Sequence, residues 1–304
     1  MKRRALLAGL AASALPVASR AAGGMKVAAT FSIIGEWAGR IGGEQIDLQT
    51  IVGPDGDTED YTPTAADIPR VAGARILFMN GLNDEFEPWV ETLMKQAKFA
   101  GTKVIVTRGV KAISGEDEHP VSGRPKASTL DQHAWMDPRN AVIYVKNITD
   151  ALVRADAANT DQYRNRAAAY TKDLKELQAW AQAEIAAVPA AKRRVLLSHD
   201  SLQYLGLAYG ITMISVNGWT NKSEPSAADL ARLTDQIRRD RVKALFLDSI
   251  TDPRAMERIS KETGAIIGGT LYADALSKPG GPASTYIDLI RHDVAMLKAG
   301  MLRN

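Results

Sequence analysis

The sequence contains no cysteine among its 304 residues. This absence excludes disulfide bonds, thiolate metal ligands and a lipid-modified N-terminal cysteine. The sequence also lacks the His-Glu-x-x-His pattern of zinc hydrolases. No segment after residue 22 has the run of about 20 apolar residues that a membrane-spanning helix needs. We therefore expect a soluble mature chain in which any metal ligands are histidine, aspartate or glutamate.

The first residues have the layout of a secretory signal. A basic start at residues 2–4 precedes an apolar run at 5–15 and a small, turn-prone segment at 16–22. Because the apolar run is too short to span a bilayer, we expect export to the periplasm with cleavage after Ala21 or Ala22. The arginine pair in the basic start also admits a twin-arginine signal, so the export route stays open.

The charge of the chain argues against a nucleic-acid partner. The formal net charge of the full sequence is +3. Four of the basic residues lie in segment 1–21, which has no acidic residue, so its removal lowers the formal charge from +3 to −1. A mature chain of this charge lacks the concentrated basic surface that nucleic acids require.

Apolar runs alternate with helical patterns in both halves of the chain. We predict strands at 26–32, 46–52, 75–80, 103–107, 194–198, 211–216, 242–247 and 265–271, with helical segments at 33–41, 88–98, 226–238, 252–263 and 285–301. Strands that alternate with helices form parallel βα units. The sequence therefore predicts an α/β fold with two similar lobes, each a parallel sheet flanked by helices.

A long helical segment at 160–188 separates the two halves. Its apolar side chains recur every three or four residues and form one stripe of an amphipathic helix. About 28 residues at 1.5 Å each extend roughly 42 Å, so we expect one rigid helix between the lobes and small lobe motions. The predicted organisation is a signal peptide at 1–22, an N-terminal lobe at 25–158, a connecting helix at 159–189, and a C-terminal lobe at 190–304 whose last helix can pack back toward the first lobe.

Two of the four histidines lie where a ligand site is expected. His133 lies in the loop before a helix that Asp137 and Pro138 are suited to begin. His199 follows the strand at 194–198, and open α/β sheets bind ligands at the carboxyl ends of their strands.

The other two histidines are weaker candidates. His292 lies opposite the apolar stripe of the last helix, so we expect it in solvent and not at a metal. His119 lies in the polar, acidic loop 115–129, which is either ordinary surface or a weak metal-attracting loop.

Two loops offer oxygen ligands to complement the histidines. Residues 53–67 are dense in carboxylates, and residues 271–277 follow the last strand of the second half. Two imidazoles with one or two carboxylates from separate loops would make a site for a borderline-to-hard divalent metal ion. Spacing alone does not choose among the carboxylates.

Several motifs occur in order along the chain: Glu59-Asp-Tyr-Thr-Pro-Thr64, Phe78-Met-Asn-Gly-Leu82, Gln132-His-Ala-Trp-Met-Asp-Pro-Arg-Asn-Ala141, Glu224-Pro-Ser226 and Ala273-Asp-Ala-Leu-Ser277. With them the chain resembles, over about residues 25–302, the periplasmic zinc/manganese solute-binding proteins of ABC importers. The resemblance implies a receptor, not an enzyme, that captures a divalent transition metal between its lobes. Its partner would be an ABC permease in the inner membrane, and we expect the receptor to be a monomer.

The resemblance also implies the ligands Glu59, His133, His199 and Asp274. Glu59 stands where this family has a histidine, so an anionic oxygen replaces a neutral nitrogen. The two carboxylates and two neutral imidazoles balance the charge of a divalent cation. We therefore expect Zn²⁺ as the favoured transported ion, with Mn²⁺ or Fe²⁺ as alternatives.

Two alternatives concern Glu59. A neighbouring carboxylate, Asp57 or Asp60, could take its place as the fourth ligand. If Glu59 stays off the metal, the other three ligands leave a position for water. Glu59 could then act as the general base of a metal-dependent hydrolase.

Overall fold

The computed structural model of the chain describes residues 23–83, 86–113, 130–216 and 227–304. Two sheets of four parallel strands, both flanked by helices, confirm the predicted α/β class. The predicted signal at 1–22, the loop with His119 and the motif Glu224-Pro-Ser226 lie outside the described residues.

The elements follow the order that the alternating pattern predicts. The strands are β1 Met25–Phe31, β2 Ile46–Val52, β3 Ile76–Met79, β4 Thr102–Ile105, β5 Arg194–Leu197, β6 Thr212–Ser215, β7 Ala244–Asp248 and β8 Ile266–Leu271. The helices are α1 Ser32–Gly42, α2 Ile68–Val71, α3 Val90–Gln96, α4 Pro138–Ala155, α5 Thr160–Ala186, α6 Gln203–Tyr209, α7 Ala227–Asp240, α8 Arg254–Thr263 and α9 Tyr286–Met301.

The two sheets share one topology. The strand order is β2-β1-β3-β4 in the first sheet and β6-β5-β7-β8 in the second. In the first sheet β2 is added on one side of β1 and β3 on the other, so the order of strand addition reverses between β1 and β3. In the second sheet the same reversal lies between β5 and β7. Ligands of open α/β sheets bind outside the carboxyl ends of the strands at such reversal points.

Helix α5 is the long connector that the periodicity predicts. It has 27 residues, and its apolar stripe from Tyr163 to Ile185 is buried. Arg166 on this helix donates hydrogen bonds to the carbonyl oxygens of Ile41 (3.1 Å) and Gly42 (2.9 Å) at the end of α1. These bonds satisfy carbonyls that have no partner inside α1, and they attach α5 to the end of α1, the helix that follows β1.

Hydrogen bonds join the segment that follows β8 to the first lobe. The backbone N–H of Leu276 donates to Ser32 Oγ at 2.9 Å, and its carbonyl accepts from the N–H of Asp55 at 2.8 Å. The Trp135 indole N–H donates to the carbonyl of Ala273 at 2.8 Å. These bonds fix residues 273–276 beside the loops that follow β1 and β2.

Candidate metal centre

The structure brings the four predicted ligands together between the two sheets. Glu59 lies in the loop after β2, His133 before α4, His199 after β5 and Asp274 after β8. Each is at most 2% exposed. One potential ligand atom from each residue lies within 4.8 Å of the other three, which is close enough for one shared metal ion.

The loop before Glu59 is fixed by its own side chains. Asp57 Oδ1 accepts hydrogen bonds from the backbone N–H groups of Glu59 (2.9 Å) and Asp60 (3.2 Å). The Trp89 indole N–H donates to the carbonyl of Thr58 at 2.9 Å. Asp60 is exposed and Asp57 is bonded to backbone, so Glu59 is the carboxylate of this turn that reaches the cluster.

Asp131 orients His133. Its Oδ1 lies 2.7 Å from His133 Nδ1 and also accepts the backbone N–H of His133 at 2.8 Å. A carboxylate at Nδ1 holds the ring proton there and leaves Nε2 available to a metal ion. Nε2 accordingly faces the cluster, 3.2 Å from Asp274 Oδ1 and 4.0 Å from Glu59 Oε1.

His199 and Asp274 complete the cluster from the second lobe. His199 Nδ1 lies 3.5 Å from Asp274 Oδ2 and 3.6 Å from Asp248 Oδ2, and the rings of His199 and His133 are 5.1 Å apart. Asp248 is the last residue of β7, and His199 follows β5. His199 and Asp248 therefore lie at the reversal point of the second sheet. Within the described part of the chain, neither carboxylate oxygen of Asp274 accepts a hydrogen bond of normal geometry. A buried carboxylate in this situation suits a bound cation.

The two histidines and Asp274 stabilise one another's charges. Burial alone would lower the pKa of His133, but Asp274 and Asp131 raise it well above its ordinary value. Burial likewise opposes the charged form of His199, while Asp248 and Asp274 raise its pKa to about 9. Burial would raise the pKa of Asp274, but the two histidines lower it. In the metal-free centre the nearby carboxylates therefore favour the protonated forms of both imidazoles.

His292 lies outside the group of four potential ligands, and its expected exposure to solvent is wrong. It is half-buried, and its Nε2 lies 2.9 Å from the carbonyl of Thr270, the residue before the end of β8. Its ring also packs against Tyr272, with the ring centroids 5.5 Å apart.

Sequence reasoning missed three polar residues that support the ligands. Asp131 and Gln132 directly precede His133, and a carboxylate two residues from a candidate histidine was a usable signal. Asp248 ends a strand at the same sheet edge as His199, so the strand-end rule that selected His199 could have found it. For Gln132, which contacts Glu59, the sequence offers no comparable signal.

Comparisons with known proteins agree with this fold. The family model described as ZnuA, zinc-uptake complex component A periplasmic, matches residues 27–300. The iron-binding protein YfeA of Yersinia pestis is 32% identical over 275 residues, which make up 90% of this chain and 86% of YfeA.

Two solved structures have the same fold. The manganese-bound periplasmic metal-binding protein of Candidatus Liberibacter asiaticus has a TM-score of 0.78 and 30% identity, over 90% of this chain and 98% of that chain. The periplasmic zinc-binding protein TroA of Treponema pallidum has a TM-score of 0.82 over 92% of this chain and 99% of its own, at 24% identity. With a family model that matches nearly the whole chain, this protein belongs to the ZnuA family of periplasmic metal-binding components of uptake systems.

Proposed function

We propose that this protein is the extracytoplasmic receptor of an ABC-type importer and that it captures a divalent transition metal ion for a membrane permease. The metal would be held by Glu59, His133, His199 and Asp274. The observation that supports this most is the composition of the centre: four buried potential ligands, two from each lobe, lie within 4.8 Å of one another. A site assembled from both lobes can hold an ion between them and release it when the lobes separate.

The ligand set suits a transported ion better than a catalytic one. Four protein ligands close a tetrahedral site, whereas catalytic zinc keeps one position for water. Glu59 Oε1 lies 4.0 Å from His133 Nε2, inside the group of potential ligand atoms. The hydrolase alternative has no support here, and the relatives named above are described as metal-binding proteins.

Zn²⁺ is the transported ion that we favour, with Mn²⁺ or Fe²⁺ as alternatives. Affinity for a site of nitrogen and oxygen ligands rises from Mn²⁺ and Fe²⁺ to Zn²⁺. Two carboxylate ligands reduce the difference in affinity between Zn²⁺ and Mn²⁺, because hard oxygen ligands suit Mn²⁺. The family description names zinc, while the relatives named above are an iron-binding protein and a manganese-bound protein.

The cellular setting of the proposal follows from the sequence. Segment 1–22 would direct export and be removed, which would place the mature monomer in the periplasm. Among the described residues, every helix is too short or too polar to cross a membrane.

Metal titration tests the proposal directly. Chelator-treated protein titrated with Zn²⁺ and Mn²⁺ in a calorimeter should bind one ion per chain. Affinity should be tighter than about 1 μM, or about −8 kcal/mol of binding free energy. A chain that binds neither ion in this range is not a metal receptor.

Metal affinity should depend on pH. The raised pKa values mean that His133 and His199 carry protons at neutral pH in the metal-free centre, and a ligand imidazole must lose its proton. We expect the affinity for Zn²⁺ to rise about tenfold per pH unit for each displaced proton. For His199 the rise should continue to about pH 9. Competition with a chromophoric chelator of known pH dependence measures this profile, and a flat profile would contradict protonated histidines at the site.

A further inference from the structure

Gln132 makes a direct contact with the Glu59 carboxylate. Its Nε2 donates a hydrogen bond to Glu59 Oε1 at 2.5 Å, across 73 positions of the sequence. Both side chains are buried, with exposures of 0% for Gln132 and 2% for Glu59. The oxygen that accepts this bond is the one that lies 4.0 Å from His133 Nε2. The amide therefore acts on the oxygen that faces the other ligands.

The other end of the Gln132 amide is held as well. Asn83 Nδ2 donates to Gln132 Oε1 at 2.7 Å and to the carbonyl of Leu130 at 2.6 Å. Asn80 Nδ2 donates to the backbone carbonyl of Gln132 at 3.0 Å. Since Oε1 already accepts from Asn83, the donor end of the Gln132 amide must point at Glu59.

This arrangement restricts Glu59 in two ways. A glutamate side chain loses considerable rotamer freedom when it is fixed, and a hydrogen bond that holds it before metal arrives removes that cost from the binding step. A hydrogen bond from a neutral amide to a carboxylate is also charge-assisted, so it stabilises the anionic form that a metal ligand requires. Partners of this kind orient metal ligands and tune the metal they hold.

We propose that Gln132 is a positioning residue for Glu59. The hydrogen bonds from Asn83 to Gln132 and from Gln132 to Glu59 hold the Glu59 carboxylate in place before metal binds. They thereby increase the affinity of the centre for metal ions that prefer oxygen ligands. This inference rests on the proposed function, and it goes further by assigning part of the metal selectivity to a residue that is not itself a ligand. Mn²⁺ should depend on this contact more than Zn²⁺, because Mn²⁺ favours hard oxygen ligands and gains less from the imidazoles.

The test is a set of four proteins: the original chain, Gln132→Met, Glu59→Ala and the double variant. Methionine keeps the length of the side chain and removes the amide, while Asn83 retains its bond to the carbonyl of Leu130. We expect Gln132→Met to weaken Mn²⁺ binding by about 10- to 100-fold, the usual cost of losing a partner of a metal ligand, and Zn²⁺ binding by less. In the Glu59→Ala background the same change should alter either affinity by less than about twofold, because the contact it removes is already absent.

Gln236→Met is the matched control. Gln236 Nε2 also donates to a carboxylate, Asp240 Oδ2 at 3.3 Å, but both residues lie on α7 and outside the metal centre. This variant should bind both ions as the original chain does. The thermal midpoint of each metal-free variant shows that it is folded before titration.

Three results would overturn the inference. The first is an unchanged Mn²⁺ affinity in Gln132→Met. The second is an equal loss with and without Glu59, which would place the effect on the His133 loop. The third is an equal loss for Mn²⁺ and Zn²⁺. In each case the original chain still binds metal and the proposed function stands, whereas an original chain that binds neither ion refutes both.

Discussion

The His133→Ala variant will bind Zn²⁺ more than about 100-fold more weakly than the original chain, a larger loss than an outer partner of a ligand causes. The substitution removes the Nε2 ligand and leaves Asp131, whose Oδ1 is bonded to the ring and backbone of His133, without the imidazole. His199→Ala should have a comparable effect, because it removes the nitrogen ligand of the second lobe. Calorimetric or chelator-competition titration of the chelator-treated variants measures both losses.

His292→Ala is the control for these two variants. It removes the same kind of side chain from a half-buried position, where Nε2 lies 2.9 Å from the carbonyl of Thr270. Since His292 lies outside the ligand group, its loss should leave the Zn²⁺ affinity unchanged even if it lowers the thermal midpoint. Equal weakening in all three variants would mean that the losses reflect general destabilisation, and the ligand assignment would then be wrong.

Much of the fold follows from local pattern. β2 has the predicted limits, and the α5 stripe is buried as the helical periodicity requires. Parallel strands covered on both faces are rich in apolar residues, and β1 is buried at every residue from Val27 to Phe31. Helix α6 was not predicted, because its apolar residues follow one another almost without interruption and show no helical spacing.

The error at His292 shows where a helical projection stops being informative. A projection finds the widest apolar face of α9, but it does not show how many neighbours cover that helix. Here α9 packs against both α5 and β8. The face toward β8 therefore buries polar residues: His292 reaches a strand carbonyl, and Asp293 accepts the backbone N–H of Tyr272 at 3.0 Å.

The four side chains of the proposed ligand set could be selected from the sequence because the family resemblance places each of them at a strand end or in a loop, and the structure brings them within 4.8 Å of one another. The contacts that orient the ligands could not, since they join positions far apart in sequence through side-chain directions. Gln132 and Glu59 are 73 positions apart, and Trp135 meets the carbonyl of Ala273 across 138 positions. No periodic pattern links such pairs, so only the folded chain reveals them.

Asp274→Asn should produce the second large effect, on both metal affinity and the stability of the metal-free protein. The amide has no negative charge, so a centre with a divalent ion would carry an excess of one positive charge. We expect Zn²⁺ affinity to fall by more than about 100-fold, again beyond the usual cost of an outer partner. The fully buried position makes the loss of charge compensation costly.

The stability effect has a defined pH range. The pKa of His199 rises to about 9 in the folded chain, and that of His133 also rises. The contribution of these histidines to the free energy of unfolding is therefore complete below pH 6.5, the ordinary histidine value. It declines as the pH rises through about 9. Asp274 has a lowered pKa, so its own contribution is lost only as the pH falls below 3.8. Without Asp274, the metal-free protein should lose on the order of 1 kcal/mol of stability near pH 5, because the protonated histidines lose a counter-charge. Denaturant unfolding in the presence of chelator measures this difference.

Asp293→Asn is the control for Asp274→Asn. It distinguishes the effect of the Asp274 charge from the effect of replacing any buried carboxyl group. Asp293 is also fully buried, and burial raises its pKa well above the ordinary value, which favours its neutral form. Because Asp293 lies outside the group of four potential ligands, its replacement with an amide should leave Zn²⁺ affinity and its pH profile unchanged. The stability difference between Asp274→Asn and the original chain should narrow above about pH 9, where His199 has lost its proton. A difference that grows with pH would show that Asp274 is not the counter-charge of the two histidines, and the electrostatic account of the centre would have to be abandoned.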